Sequence, residues 1–125
     1  MARMRFQHQL TYDATPEQVH AMLVDPAFRE SVCDAQGVLS RSVVVEQDAD
    51  GHTVVIDQAQ PAHGVPSFAR KFVGDQIDIV QREEWASVEA ARLRIEIPGK
   101  PGRLDGRVQL VATGGTTTQT VEGDI

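Results

Sequence analysis

The stretch MRFQHQLTYDATPEQVHAML, residues 4–23, changes its hydrophobic period halfway along, and the rest of the fold follows from that change. Met4, Phe6, His8, Leu10 and Tyr12 fall on one side of an alternating segment, with Arg5, Gln7, Gln9 and Thr11 on the other. Such alternation predicts a strand with one buried face. Beyond Tyr12 the period lengthens. Thr15 is placed as an N-cap, Pro16 occupies the first helical position, and Gln18 completes a capping box. Val19, Met22 and Leu23 then form a helical stripe. Pro26 stops that helix, and PAFRESVCDAQG, residues 26–37, reads as a second short helix closed by Gly37.

From residue 38 onward the pattern is almost entirely that of strands. Residues 38–47 and 52–60 flank Asp50-Gly51, a strong hairpin signal. Residues 61–74, PAHGVPSFARKFVG, interrupt with two prolines and a single helical turn. Alternation resumes over 75–86, with Ile77, Ile79 and Trp85 on one side and Asp78, Val80 and Arg82 on the other. Ala91, Leu93, Ile95 and Ile97 mark the next strand. PGKPG, residues 98–102, turns the chain into Leu104, Gly106, Val108, Leu110 and Ala112, and Gly114-Gly115 turns it into a last, threonine-rich strand. The order is one strand, two short helices, then about six strands joined by hairpins. This predicts a single α+β domain over residues 1–125, built on a curved antiparallel sheet of six to seven strands with its apolar face concave.

Composition removes several classes of function. A chain of 125 residues carrying a net charge of -6 lacks the basic balance of a nucleic-acid-binding protein. No run approaches the roughly 18 apolar residues of a membrane span. The N-terminus has positive charge without an apolar stretch behind it, unlike a secretory signal. Cys33 is the one cysteine, so no intrachain disulfide forms, which suits a reducing cytoplasm. No histidine or cysteine pair has metal-ligand spacing, and no glycine-rich phosphate cradle occurs, so no cofactor is expected.

Two stretches carry a family resemblance: YDATPEQVHAMLVDPAFRE, residues 12–30, and QPAHGVPSFARKFVGD, residues 60–75, the latter followed by an isoleucine-rich strand that ends at Trp85. With the element order, they make the chain similar to the START-like superfamily of lipid-transfer, polyketide-cyclase and hormone-binding proteins. It most resembles domain of unknown function 2505. The resemblance implies a helix-grip fold holding a small hydrophobic ligand, lipid-like or polyketide-like, between curved sheet and helix. It also implies a long C-terminal helix across the sheet. The sequence stops at Ile125, where that helix would begin, so the natural chain is expected to continue, or a second copy to cover the trough. Without such a cover, the face bearing Leu93, Ile95, Val108 and Leu110 is expected to meet water.

The candidate ligand-binding residues are His8, Tyr12, Phe68, Phe72, Ile77, Ile79, Trp85, Leu93, Ile95, Val108 and Leu110. His8 shares the apolar face of its strand, as either a hydrogen-bonded core histidine or a polar anchor in a cavity. Tyr12 and Trp85 combine an aromatic body with a polar tip, suited both to core packing and to orienting a ligand. Phe68 and Phe72 are four apart; they either close one end of the sheet or gate access to the cavity. Glu83 is the odd polar group among Ile77, Ile79 and Trp85, read as a salt bridge at a frayed strand end or as a buried acid. His20 is expected on an exposed helix face, His52 beside a hairpin turn and His63 in a loop. Cys33 is expected to be a small buried apolar residue.

Three functions fit these features. The first is a binding module for a small hydrophobic molecule. The second is a cyclase- or dehydratase-type enzyme using His8 with Tyr12 or Glu83. The third is an interaction domain whose trough docks a helix or a second copy.

Overall fold

A computed structural model of the chain describes residues 5–61, 76–99 and 103–124. The elements run β1 (Arg5–Tyr12), α1 (Pro16–Leu23), α2 (Pro26–Ala35), β2 (Ser40–Asp48), β3 (Gly51–Pro61), β4 (Gln76–Trp85), β5 (Ala90–Glu96), β6 (Arg103–Thr113) and β7 (Thr116–Asp124). The strands form one antiparallel sheet in the order β1-β7-β6-β5-β4-β3-β2. The hairpin meander β2 to β7 thus ends beside β1, and the two helices carry the chain from one edge of the sheet to the other. The last strand is flanked on both sides: Leu10 pairs with Gln119, and Gln119 with Leu110.

Local chemistry accounts for the helix pair. The Thr15 side chain accepts from the Gln18 amide at 3.2 Å while Gln18 Oε1 accepts from the Thr15 amide at 2.9 Å, closing the capping box. Asp25 caps α2 by accepting from the Ala27 amide at 3.0 Å. Gly37, with φ of 73°, ends that helix in the left-handed region. At the β2–β3 hairpin Gly51 has φ of 136°, and a side chain there would collide with the backbone of Trp85.

Register places the side chains facing the helices. From β1 across to β3, one row reads His8, Val121, Val108, Ala91, Trp85 and His52. The next reads Phe6, Gly123, Gly106, Leu93, Glu83 and Val54. Val19, Leu23 and Cys33 of the helices pack with Val54, Ile56, Trp85, Ala91, Leu93, Val108 and Leu110 into one core. The expectation that Leu93, Val108 and Leu110 meet water is therefore corrected. α1 and α2 pack on this face toward the end that bears the Gly51 hairpin, where His20 meets His52 and Trp85, and all three residues are buried beneath them. Ile95 is half-buried, as are Ile77 and Ile79. Phe68, Phe72 and His63 lie outside the described residues.

Gly106 and Gly123 face each other across β6 and β7. A Cβ on Gly106 would press on the Glu122 carbonyl oxygen and lie 2.7 Å from Gly123 Cα, both of them backbone. No flexible side chain is there to move aside. Gly106→Ala should therefore lower unfolding stability by about 2 kcal/mol, within the range of overpacked sites, measured by urea denaturation. An unchanged midpoint would show that the strands separate freely.

Candidate functional site

The helices leave part of their sheet face uncovered, and that part is the candidate site. On β1, Phe6 is 39% and Leu10 45% exposed, with His8 exposed between them. Val121 on β7, Leu104 on β6, Ile95 on β5 and Ile77 and Ile79 on β4 are half-buried, and Ile97 beyond β5 is exposed. These positions border the buried core on the β1 side and at the opposite end from the Gly51 hairpin. Phe6, Leu10 and Ile97 are large apolar side chains on the same face of one sheet. Together with the half-buried residues they form an uncovered apolar stretch, the trough, beside Gly106 and Gly123, with the Leu104 side chain lying against Gly123.

The trough's inner wall is fixed by a buried ion pair. Glu83, 3% exposed, accepts from Arg29 Nη1 at 3.0 Å and Arg29 Nη2 at 2.8 Å in a two-pronged arrangement. It also accepts from Trp85 Nε1 at 3.0 Å and Gln81 Nε2 at 2.6 Å. Arg29 Nη1 donates in addition to the Leu23 carbonyl at 3.0 Å. That carbonyl ends α1 and has no partner within its own helix. One guanidinium thus ties α1, α2 and β4 together. Glu83 is indeed in a salt bridge, but a buried one beneath the helices and not at a frayed strand end. Its strand parity gives its inward direction; Arg29 carries no such signal, because its partner is 54 residues away.

Tyr12 is half-buried, and its hydroxyl donates to Gln119 Oε1 at 2.9 Å. Burial raises the phenol's pKa, against a weaker lowering by the Arg29 charge, so the hydroxyl stays protonated. Trp85 is 2% exposed and its indole N–H is committed to Glu83, which leaves it no polar tip to offer the open trough. His8 lies on the side its parity gives, yet it is exposed rather than part of the core. His20 departs from the expectation of an exposed helix face: it is half-buried, and its ring meets the edges of Trp85 and His52, each with centroids 5.3 Å apart. Burial, with the neighbouring His52, depresses its pKa. Cys33 is buried in the core, and burial pushes its thiol up, outweighing the pull of Arg29 and Arg41.

The acid–base pairs of the enzyme reading are not assembled. His8 and Tyr12 are four residues apart on one strand, roughly 13 Å at the strand rise of about 3.3 Å. Glu83 is enclosed by Arg29, Gln81 and Trp85. A separate cleft of about 510 Å³ opens at the Gly51 hairpin and is lined by Asp50, Glu84, Arg92 and Arg107 among others. Trp85, Ala86, Ala90 and Ala91 add apolar surface to it, and it lies at the hairpin end, away from Ile77, Ile79 and Ile97. No helix among the described residues is long and apolar enough to cross a membrane.

An open seven-stranded antiparallel sheet gripped by two helices is the helix-grip architecture of the START-like and Bet v 1-like proteins. The profile of the family Protein of unknown function (DUF2505) matches residues 7–125, and the chain belongs to that family. Among solved structures, it is similar to the Zhui aromatase/cyclase from Streptomyces sp. R1128, at a TM-score of 0.65 and 12% identity over 98% of this chain and 67% of that one. The protein TTHA0849 from Thermus thermophilus gives 0.66 and 18%, over 96% of this chain and 72% of that one. Truncated norcoclaurine synthase from Thalictrum flavum gives 0.61 and 10%, over 99% and 76%. Among curated proteins, none matches the sequence.

The ion pair yields a directional test. Arg29→Met leaves the Glu83 carboxylate buried with two neutral donors, and should cost about 3–5 kcal/mol. Adding Glu83→Gln removes the stranded charge and keeps an acceptor for Trp85, so the double variant should be more stable than Arg29→Met alone in urea denaturation. Equal stabilities would mean that Glu83 is solvated by other means.

Proposed function

We propose that this protein binds a small hydrophobic molecule in the trough between β1, the centre of the sheet and the far ends of β4 and β5. The observation that carries the reading is the combination of a well-covered core with uncovered apolar side chains on the same sheet face. Where α1 and α2 lie, the sheet face is closed and every buried polar side-chain atom among the described residues has a partner. Where they do not lie, Phe6, Leu10 and Ile97 remain in water. Uncovered apolar patches of this kind mark ligand grooves or protein contacts. The relatives in structure include an aromatase/cyclase and norcoclaurine synthase, which supports a small-molecule occupant over a macromolecular one. Binding needs no more than burial and a few polar contacts; the absence of a converged acid–base pair among the candidate residues argues for holding rather than converting the ligand.

In this reading Ile77, Ile79, Ile95, Phe6, Leu10 and Val121 supply apolar contact. Leu93, Val108, Leu110 and Trp85 support them from beneath, and Tyr12 and His8 supply polarity at the margin. A second copy or a docked helix is the competing occupant.

The test uses N-phenyl-1-naphthylamine, whose fluorescence rises in apolar surroundings. The wild-type chain should bind it saturably, and Leu10→Glu should weaken binding tenfold or more, as expected for loss of roughly 1.5–3 kcal/mol of leucine burial. Since Leu10 is exposed, the urea midpoint of that variant should stay close to that of the wild type. No binding, together with a concentration-dependent dimer in light scattering, would transfer the trough to a protein partner.

A further inference from the structure

The trough has one polar side chain at the border between its covered and uncovered parts whose hydrogen-bonding role is already half assigned. Gln119 sits on β7 directly between Leu10 of β1, which is exposed, and Leu110 of β6, which is buried. It is itself half-buried. Its Oε1 is taken by the Tyr12 hydroxyl at 2.9 Å. A carboxamide has one oxygen acceptor and two N–H donors. With one lone pair of the oxygen engaged by Tyr12, both N–H donors remain for whatever else approaches. Its Nε2 donates to no described residue, whereas Gln81 and Gln60 on the same face spend theirs on Glu83 and Gln58. Tyr12 holds this arrangement from the protein side: its hydroxyl stays protonated and is anchored beside the core cluster.

A purely apolar molecule lying over Leu10 would strip water from the Gln119 amide and return nothing. A molecule with an acceptor at that point would replace the lost water. We infer that Gln119, oriented by Tyr12, is the specificity-determining donor of the trough, and that its ligand is a hydrophobic molecule bearing a hydrogen-bond acceptor such as a carbonyl oxygen. This rests on the small-molecule reading given above. Tyr12 is a positioning residue and Gln119 the contact residue. Leaving a buried donor unpaired is costly, which is why a site of this kind discriminates against the analogue that lacks the acceptor.

A matched pair of probes separates the two ideas: 2-acetylnaphthalene, which has the carbonyl, and 2-ethylnaphthalene, which has the same outline without it. Both are measured against the whole chain by equilibrium dialysis. Gln119→Leu should weaken the ketone about tenfold and leave the hydrocarbon unchanged or tighter, so that the ratio of the two affinities shifts by tenfold or more. Gln119→Glu keeps the side chain's shape and its acceptor for Tyr12 while removing the N–H donors. It should lose the ketone similarly, which guards against misfolding of the leucine variant. Tyr12→Phe should shift the ratio partway, by severalfold, with hydrocarbon binding retained. If both naphthalenes bind the wild type and the ratio is the same in both Gln119 variants, the inference is wrong while the binding function stands. If neither naphthalene binds the wild type, the binding function falls, and this inference with it.

Discussion

One guanidinium organises the molecule. Arg29 reaches from α2 into the sheet, meets the Glu83 carboxylate with two hydrogen bonds and closes the last carbonyl of α1. Burying an ion pair is a poor way to gain stability, because desolvation consumes most of the attraction. Its effect here is positional. Glu83 is further held by Trp85 and Gln81, so the carboxylate has a single place to be, and both helices are registered against it. The core of Val54, Leu93, Val108 and Leu110 forms under the helices as a consequence. So does the trough, which is the remainder of the same face.

The sheet's connectivity decides where that remainder falls. β1 comes first in the chain yet lies beside β7, because the helices span the sheet before the meander begins. Phe6, His8 and Leu10 therefore stand at the edge farthest from β2, to which α2 packs. The facing glycines, Gly106 and Gly123, let the backbones of β6 and β7 come close together. The result is a site with apolar margins and the Gln119 amide at its inner border on the β1 side.

Much of this architecture can be read directly from the residues. The change from period two to a helical stripe at Tyr12–Thr15, the capping box of Thr15 and Gln18, and the Asp50-Gly51 hairpin are local signals, and local signals survive folding. Parity also puts Glu83, Trp85, Leu93 and Val108 on a common face, as their register shows. What parity does not convey is cover. The fate of Leu93, Val108 and Leu110 depends on where α1 and α2 dock, and docking is set by Arg29, an arginine that looks like any other surface charge in the sequence. His20 escapes a local reading for the same reason: its helix face is defined by Trp85 and His52, which are distant along the chain. The Tyr12–Gln119 contact joins residues 107 apart and has no local signature at all.

The central claim is that a small hydrophobic molecule occupies the uncovered part of the helix-bearing face while the core beneath the helices stays as it is. Methyl-resolved NMR during titration with 2-acetylnaphthalene tests this most directly. The account predicts saturable shifts confined to the methyls of Leu10, Ile77, Ile79, Ile95, Leu104 and Val121, with Val19, Leu23 and Val54 unmoved. Shifts spread through the core methyls, or none anywhere at saturating probe, would contradict it.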